Sequence, residues 1–211
     1  MIQLEDQEPK LKIISIRKSL IKLHTDLFKI EQYVDAYMAY YPSEITNLEK
    51  LVLILEDRRF FDHRGIDLKS TLREVIRAVT FRRHGGASTI DMQFVRTVTG
   101  YKTKTIRRKL YEMILATIIQ FRYSKVLILR SYLSCAFFGS HLTGTNSAAI
   151  KIYQKNDTEL TVDEAAFIAA MLVYPCPVFP TELWQSRVQR RADYGKRIYV
   201  ANKDRLEKKP A

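Results

Sequence analysis

The residues best suited to chemistry stand in the run Glu56-Asp57-Arg58-Arg59-Phe60-Phe61-Asp62-His63-Arg64-Gly65-Ile66-Asp67, directly after the apolar stretch Leu51 to Leu55. A carboxylate delivered at the end of a buried apolar helix is partly desolvated, and partial desolvation suits a general base. Asp57 and the flanking arginines could fix the orientation of Glu56. The same acidic pair also fits a solvated helix end or an ion pair. The one glycine pair, Gly85-Gly86, leads into Ala87-Ser88-Thr89. Its backbone N–H groups and two hydroxyls could face a phosphate, or form a plain turn with a helix cap. It lacks the Lys-Ser/Thr ending of a nucleotide loop, which disfavours nucleotide binding. A basic cluster follows: Lys102, Lys104, Arg107, Arg108 and Lys109, with Glu112 one helical turn beyond Arg108 and Lys109. These last three can share a face, as an anion site or as an ordinary salt bridge at a helix start. The histidines, with Cys135 and Cys176, show neither zinc-ligand spacing nor a disulfide framework.

The elements that must hold these residues are helical. Ile13, Ile16, Leu20, Leu23, Leu27, Ile30, Val34 and Tyr37 recur at spacings of three and four, with Lys12, Arg17, Lys18 and Lys22 around the first half. That pattern predicts a long amphipathic helix ending at Tyr41-Pro42-Ser43, packed on the domain or lying on anionic lipid. Thr46-Asn47-Leu48-Glu49 reads as a capping box opening a buried helix that ends at Glu56-Asp57. Further helices are expected from Asp67 to about Arg82, over 105–122, and from Ser124 through Leu133. A second capping box, Thr161-Val162-Asp163-Glu164, opens an alanine-rich helix that stops at Pro175. Arg187, Arg190, Arg191, Lys196 and Arg197 mark a basic surface helix and tail.

Composition agrees. Seven glycines and six prolines in 211 residues leave few breaks, which favours a mainly α protein, and the length fits one domain or one domain with a smaller lobe. The net charge of +12 suits nucleic acid, anionic lipid or a phosphorylated substrate alike. Aromatic residues are not interleaved with the basic ones as a nucleic-acid stacking platform requires, so no nucleic-acid partner is expected. No stretch reaches the roughly 18 apolar residues of a membrane span, and the polar, acidic start MIQLEDQEPK is not a signal peptide. The expectation is a soluble chain or one that lies on a membrane without crossing it.

The order of these signals carries more than any one of them. The pattern E-D-x-x-F-x-x-H-x-G-x-D is matched at every fixed position from Glu56 to Asp67. It resembles the first motif of the peptidoglycan glycosyltransferases, the transglycosylase domain of class A penicillin-binding proteins and their monofunctional relatives. Gly86-Ala87-Ser88-Thr89-Ile90 with Gln93 resembles their second motif, and Arg108-Lys109-Leu110-Tyr111-Glu112 their third. The fourth is similar to Tyr123-Ser124-Lys125, Ile128-Leu129, Tyr132-Leu133, Gly139, Gly144 and Tyr153. Leu160-Thr161, Glu164-Ala165-Ala166, Ala169-Ala170 and Pro175 look like the fifth.

The resemblance implies a mainly α fold, with a lysozyme-like helical head and a smaller membrane-facing jaw. It divides the chain into an amphipathic N-terminal segment (1–45), the glycosyltransferase-like domain (46–191) and a basic C-terminal tail (192–211). It implies an inverting glycosyltransferase that polymerises lipid II into β-1,4-linked glycan. Lipid II, the nascent strand, an anionic membrane surface and cell-wall synthesis proteins become the expected partners. The expected location is peripheral, on the outer face of a bacterial cytoplasmic membrane. Glu56 matches the family's general base, and Glu112 its second carboxylate, acting near the pyrophosphate and a divalent cation (Mg²⁺ or Mn²⁺). Asp57, Phe60, His63, Ser88, Thr89, Gln93, Arg96, Lys104, Arg108, Lys109 and Lys125 are carried over as substrate-binding positions. A lysozyme-like hydrolase is disfavoured, because the basic clusters near Glu112 have no pyrophosphate to neutralise in hydrolysis.

The chain also departs from the family pattern. Asp91-Met92 replaces Thr-Gln, Ser134 replaces Asn, Gln120 stands where an acid is common, Lys104 where arginine is usual and Arg96 where lysine is usual. An acid in the donor cleft would repel pyrophosphate, so the alternative is a homologue that binds lipid II or glycan without polymerising it. The family's transmembrane anchor is not seen. That leaves an excised domain, a peripheral protein held by its jaw and first helix, or a homologue working elsewhere.

Overall fold

In the computed structural model, the described residues are 9–36, 44–80 and 88–202. They form α1 (Pro9–Asp35), α2 (Asn47–Glu56), α3 (Leu68–Val79), α4 (Ile90–Thr99) and α5 (Ile106–Gln120). After these come α6 (Lys125–Cys135), α7 (Thr145–Tyr153), α8 (Val162–Ala170) and α9 (Glu182–Ala201). The mainly α fold is the one the resemblance implies. Hydroxyl side chains set where helices begin. Thr46, Thr89, Thr105, Ser124, Thr161 and Thr181 each accept a hydrogen bond from the backbone N–H three residues on. This satisfies a donor that the first helical turn leaves unpaired. Thr46–Glu49 and Thr161–Glu164 are complete capping boxes.

α2 lies at the centre, against α8 and α9, while α4 packs on α5 and α6. Leu51, Val52, Leu53 and Ile54 are all buried, each worth roughly 1.5–3 kcal/mol of transfer free energy. Ala165, Ala166, Ala169 and Ala170 give α8 the small face that lets α2 approach. α9 approaches as closely: a Cβ on Gly195 would lie 3.2 Å from Leu55. It runs unbroken through residue 191, with Val188, Ala192 and Tyr199 buried.

The amphipathic helix α1 divides into two behaviours. Ile30 and Val34 are buried and the helix rests on α4, α5 and α6, whereas Ile16 and Leu20 are exposed. α3 starts at Leu68 with Asp67 accepting from the N–H groups of Lys69 and Ser70. Its Leu68, Leu72 and Ile76, spaced by four, are exposed. Tyr37, Tyr41-Pro42-Ser43, Arg82 and the Gly85-Gly86 pair lie outside the described residues. α8 stops at Ala170, before Pro175, because a tight turn intervenes. A short hairpin, β1 (Phe137–Gly139) with β2 (Leu142–Thr143), has no counterpart in the sequence reading. Strands of two and three residues are too short to leave an alternating pattern. No helix of the described residues is long and apolar enough to cross a membrane.

Candidate active site

Glu56 is the last residue of α2 and faces an open cleft of about 630 Å³. Asp57, Ser88 and Thr89 line the same cleft, together with Arg59, Arg73 and Arg77. Arg191 of α9 donates from Nη2 to Glu56 Oε1 at 2.7 Å and to the Leu55 carbonyl at 3.1 Å. Gln93 of α4 sits at the other carboxylate oxygen, with Nε2 3.4 Å from Oε2. The Gln93 carbonyl in turn accepts from the Tyr132 hydroxyl at 2.7 Å. Two helices remote in sequence therefore fix both carboxylate oxygens while leaving the side chain 12% exposed to the cleft.

Asp57 borders the cleft, but its carboxylate is turned inward. Its carboxylate accepts from the Ile90 N–H at 3.1 Å and lies 3.0 Å from His63 Nε2. Behind His63 stands Asp91, fully buried, with Lys125 Nζ 3.0 Å from its Oδ2 and the Gln120 amide on its Oδ1. Lys125 also lies 3.5 Å from His63 Nδ1 and 4.3 Å above the Phe60 ring. Burial pushes the Asp91 carboxyl up and the Lys125 ammonium down, against their mutual attraction. The loop joining Glu56 to Asp67 is clamped over this knot at Gly65. Its φ is +81°, a Cβ there would run into the Ala116 backbone, and Thr89 donates to the Gly65 carbonyl at 2.7 Å.

The expected repulsion of pyrophosphate by Asp91 is not what the geometry gives. Asp91 and Met92 both point into the core. The acid neutralises Lys125 instead of facing the cleft. Phe60 and His63, carried over as substrate-binding positions, are buried in this knot, and Lys125, whose side chain keeps 16% exposure, joins it from the rim.

Glu112 forms a second, separate group. It is 1% exposed, and Arg108 Nη1 donates to its Oε1 at 2.8 Å. Burial pushes its carboxyl above the usual range, opposed by Arg108, Arg96 and Lys109. Lys104 is exposed on the 101–105 segment that precedes α5. A divalent cation assigned to Glu112 meets one carboxylate already bonded to a guanidinium and flanked by two more cations. The other candidate set, Asp57, His63 and Asp91, has ligand atoms within 4.8 Å of one another. There the Lys125 ammonium already sits beside Asp91 and His63. Neither group alone completes a Mg²⁺ or Mn²⁺ sphere; one or two carboxylates serve where waters and substrate phosphate oxygens supply the rest. Cys135 and Cys176 are both free thiols.

Arg191, which sequence alone assigns to a basic surface helix, is the cation that meets Glu56. A signal existed. Val188, Ala192, Gly195 and Tyr199 form the buried stripe of α9, and Arg191 stands on its inward side, three after Val188 and four before Gly195. A charged residue on an inward stripe calls for a partner.

Comparison with known proteins finds a family and a set of relatives. Residues 24–198 match the family model described as transglycosylase. Penicillin-binding protein 1A of Rickettsia bellii is 33% identical over 171 residues, covering 78% of this chain and 22% of that protein. Penicillin-binding protein 2a of Streptococcus pneumoniae is 34% identical over 145 residues, covering 69% of this chain and 19% of that protein. The chain thus spans about a fifth of the length of the curated relatives it matches.

Proposed function

The chain belongs to the transglycosylase family, and on that premise we propose that it is a peptidoglycan glycosyltransferase that polymerises lipid II with inversion, using Glu56 as general base. The observation that carries the reading is the pinning of Glu56 by Arg191 and Gln93 at the mouth of a cation-lined cleft. A sugar hydroxyl is a poor nucleophile. In the proposed step, Glu56 accepts the proton of the acceptor's 4-hydroxyl while that oxygen bonds to the donor's anomeric carbon. The bond from that carbon to the pyrophosphate oxygen breaks, its electrons leave with polyprenyl pyrophosphate, and the α-linkage becomes β.

Charge develops on the leaving group, so cations fixed beforehand stabilise the transition state more than the ground state. Arg96, Arg108, Lys109 and Lys104 are the proposed cations of that side, with Glu112 orienting Arg108. Arg59, Arg73 and Arg77 give the cleft itself a positive lining for a phosphorylated acceptor. The exposed stripe Leu68, Leu72 and Ile76 supports a lipid-facing surface at the outer face of a bacterial cytoplasmic membrane. The burial of Asp91 and Met92 removes the main motive for a homologue that binds without polymerising.

The test is direct. Labelled lipid II in detergent, resolved on a gel, is expected to give glycan strands with wild type. Glu56→Gln is expected to lose on the order of 10²–10⁴ in rate. Binding of lipid II by wild type without polymer would overturn the reading in favour of the non-polymerising homologue.

A further inference from the structure

Away from the cleft, α1 and α5 enclose a second polar pocket of about 390 Å³, which shares no lining residue with it. Lys22 of α1 and Arg107 of α5 supply its cations, and Ser19, Thr103 and Thr105 its hydroxyls. The back wall is Tyr101 and Tyr111, whose hydroxyls donate to Asp26 at 2.6 and 2.9 Å. Asp26 is 2% exposed, so the rings stand between its charge and the pocket. Burial and Asp26 push both phenols up, so they face the pocket uncharged.

The cations keep hydrogen-bonding capacity. Lys22 Nζ lies 4.5 Å from the Tyr101 centroid and 5.2 Å from that of Tyr111, a contact that uses the ring faces and leaves N–H bonds for an acceptor. Arg108 also lines the pocket, with its Nη1 already turned to Glu112 and the Tyr101 carbonyl. Lys22 precedes the residues that match the family model.

The rims decide which anion. Arg107 shares a side of α5 with Leu110 and Ile114, three and seven residues on, which are 54% and 52% exposed. Ile16, one turn before Ser19 on α1, is 60% exposed. Cations and hydroxyls beneath apolar rims match a phosphate attached to acyl chains better than a free ion.

We propose that this pocket binds the phosphate headgroup of an anionic membrane phospholipid, with Lys22 and Arg107 as its cations, seating α1 and α5 against the bilayer. The proposal is independent of the chemistry at Glu56 and is tested without lipid II. The full chain is floated with phosphatidylcholine vesicles with and without phosphatidylglycerol. Three proteins are compared: wild type, the pair Lys22→Ala with Arg107→Ala, and a charge-matched pair Lys151→Ala with Arg187→Ala on exposed sites elsewhere. The pocket pair is expected to weaken binding to phosphatidylglycerol vesicles about tenfold or more, since each surface cation contributes substantially near an anionic leaflet. The control pair is expected to bind nearly as wild type, as is Lys22→Arg, and matched thermal melts exclude unfolding. Equal losses in both pairs, or no loss in the pocket pair, overturn the site. So does displacement of wild type by inorganic phosphate at constant ionic strength, which would mark a free-ion site. A rise in the KM for lipid II with vesicle binding unchanged would assign the pocket to substrate instead, and also overturns it.

Discussion

Glu56 and Asp57 are neighbours in sequence at the end of one helix, yet the fold gives them opposite surroundings. Glu56 keeps one contact per carboxylate oxygen and an opening to the cleft. Asp57 is directed inward, to the Ile90 N–H and to His63, and through His63 to Asp91 and Lys125. The difference teaches how to separate a reacting acid from a structural one. A buried carboxylate whose acceptor sites are filled by backbone and side-chain donors is fastening elements together. One that is oriented by its neighbours but still reaches open space can take a proton from something bound there.

The sharpest way to break this comparison is to alter both acids. Glu56→Gln is expected to remove activity with little change in thermal midpoint. Asp57→Ala strands two buried donors, each costing about 1–3 kcal/mol. Its midpoint should fall by roughly 5–20 °C for a domain of this size, measured by calorimetry. Should Asp57→Ala melt as wild type while losing activity as Glu56→Gln does, Asp57 belongs to the reacting centre.

Asp91 tests the interior half of the contrast. Asp91→Thr restores the family's usual residue but leaves the Lys125 ammonium without its carboxylate. A destabilisation of about 1–3 kcal/mol is expected in urea unfolding. Adding Gln120→Glu, also the family's usual type, returns an acid to the position that now donates its amide to Asp91. The double variant should recover at least half of the loss, with a coupling of about 0.5–3 kcal/mol between the two sites. Strict additivity would mean that residues 91 and 120 do not share the task of neutralising Lys125.

How much of this was legible beforehand follows from range. The caps at Thr46 and Thr161 and the starts of α5 and α6 depend on residues three or four apart, and the spacing shows them. The first motif shows Glu56 itself. Arg191 lies far along the chain on α9; the stripe of Val188, Ala192, Gly195 and Tyr199 sets it apart from Arg187 and Arg190, but nothing local names Glu56, 135 residues away, as its partner. The inward direction of Asp91 is likewise set by distant residues. Its partners Gln120 and Lys125 come from the end of α5 and the start of α6, and tertiary packing alone brings them together.

Glu112 sharpens the comparison from the other side, because it is buried like Asp57 but paired with fewer donors. Burial raises its carboxyl above the usual range despite Arg108, Arg96 and Lys109. The folded chain therefore holds a proton that the unfolded chain has already released. Stability is greatest below the ordinary glutamate range and falls as pH rises through the raised value. Asp91, also raised, contributes in the same direction. Glu112→Gln should flatten that fall, read from melts between acid and neutral pH, while polymerisation declines. An unchanged slope would mean that Glu112 is as well satisfied as Asp57.

The smallest effect is expected on α9, one turn and a half beyond Arg191. Lys196 makes ion pairs with Asp163 at 2.8 Å and Asp193 at 3.1 Å, nearly the same lengths as Arg191 with Glu56. Solvent makes the difference. The Asp163 side chain is 77% exposed and that of Asp193 48%, whereas Glu56 is 12% exposed. Exposed pairs are screened, and the entropy of ordering long side chains offsets most of the attraction. Lys196→Ala should therefore leave the urea midpoint within error and polymerisation unchanged. A clear loss of either would show that distance rather than burial sets the strength of ion pairs on this helix, and would weaken the case that Arg191 holds Glu56 because the cleft shields them.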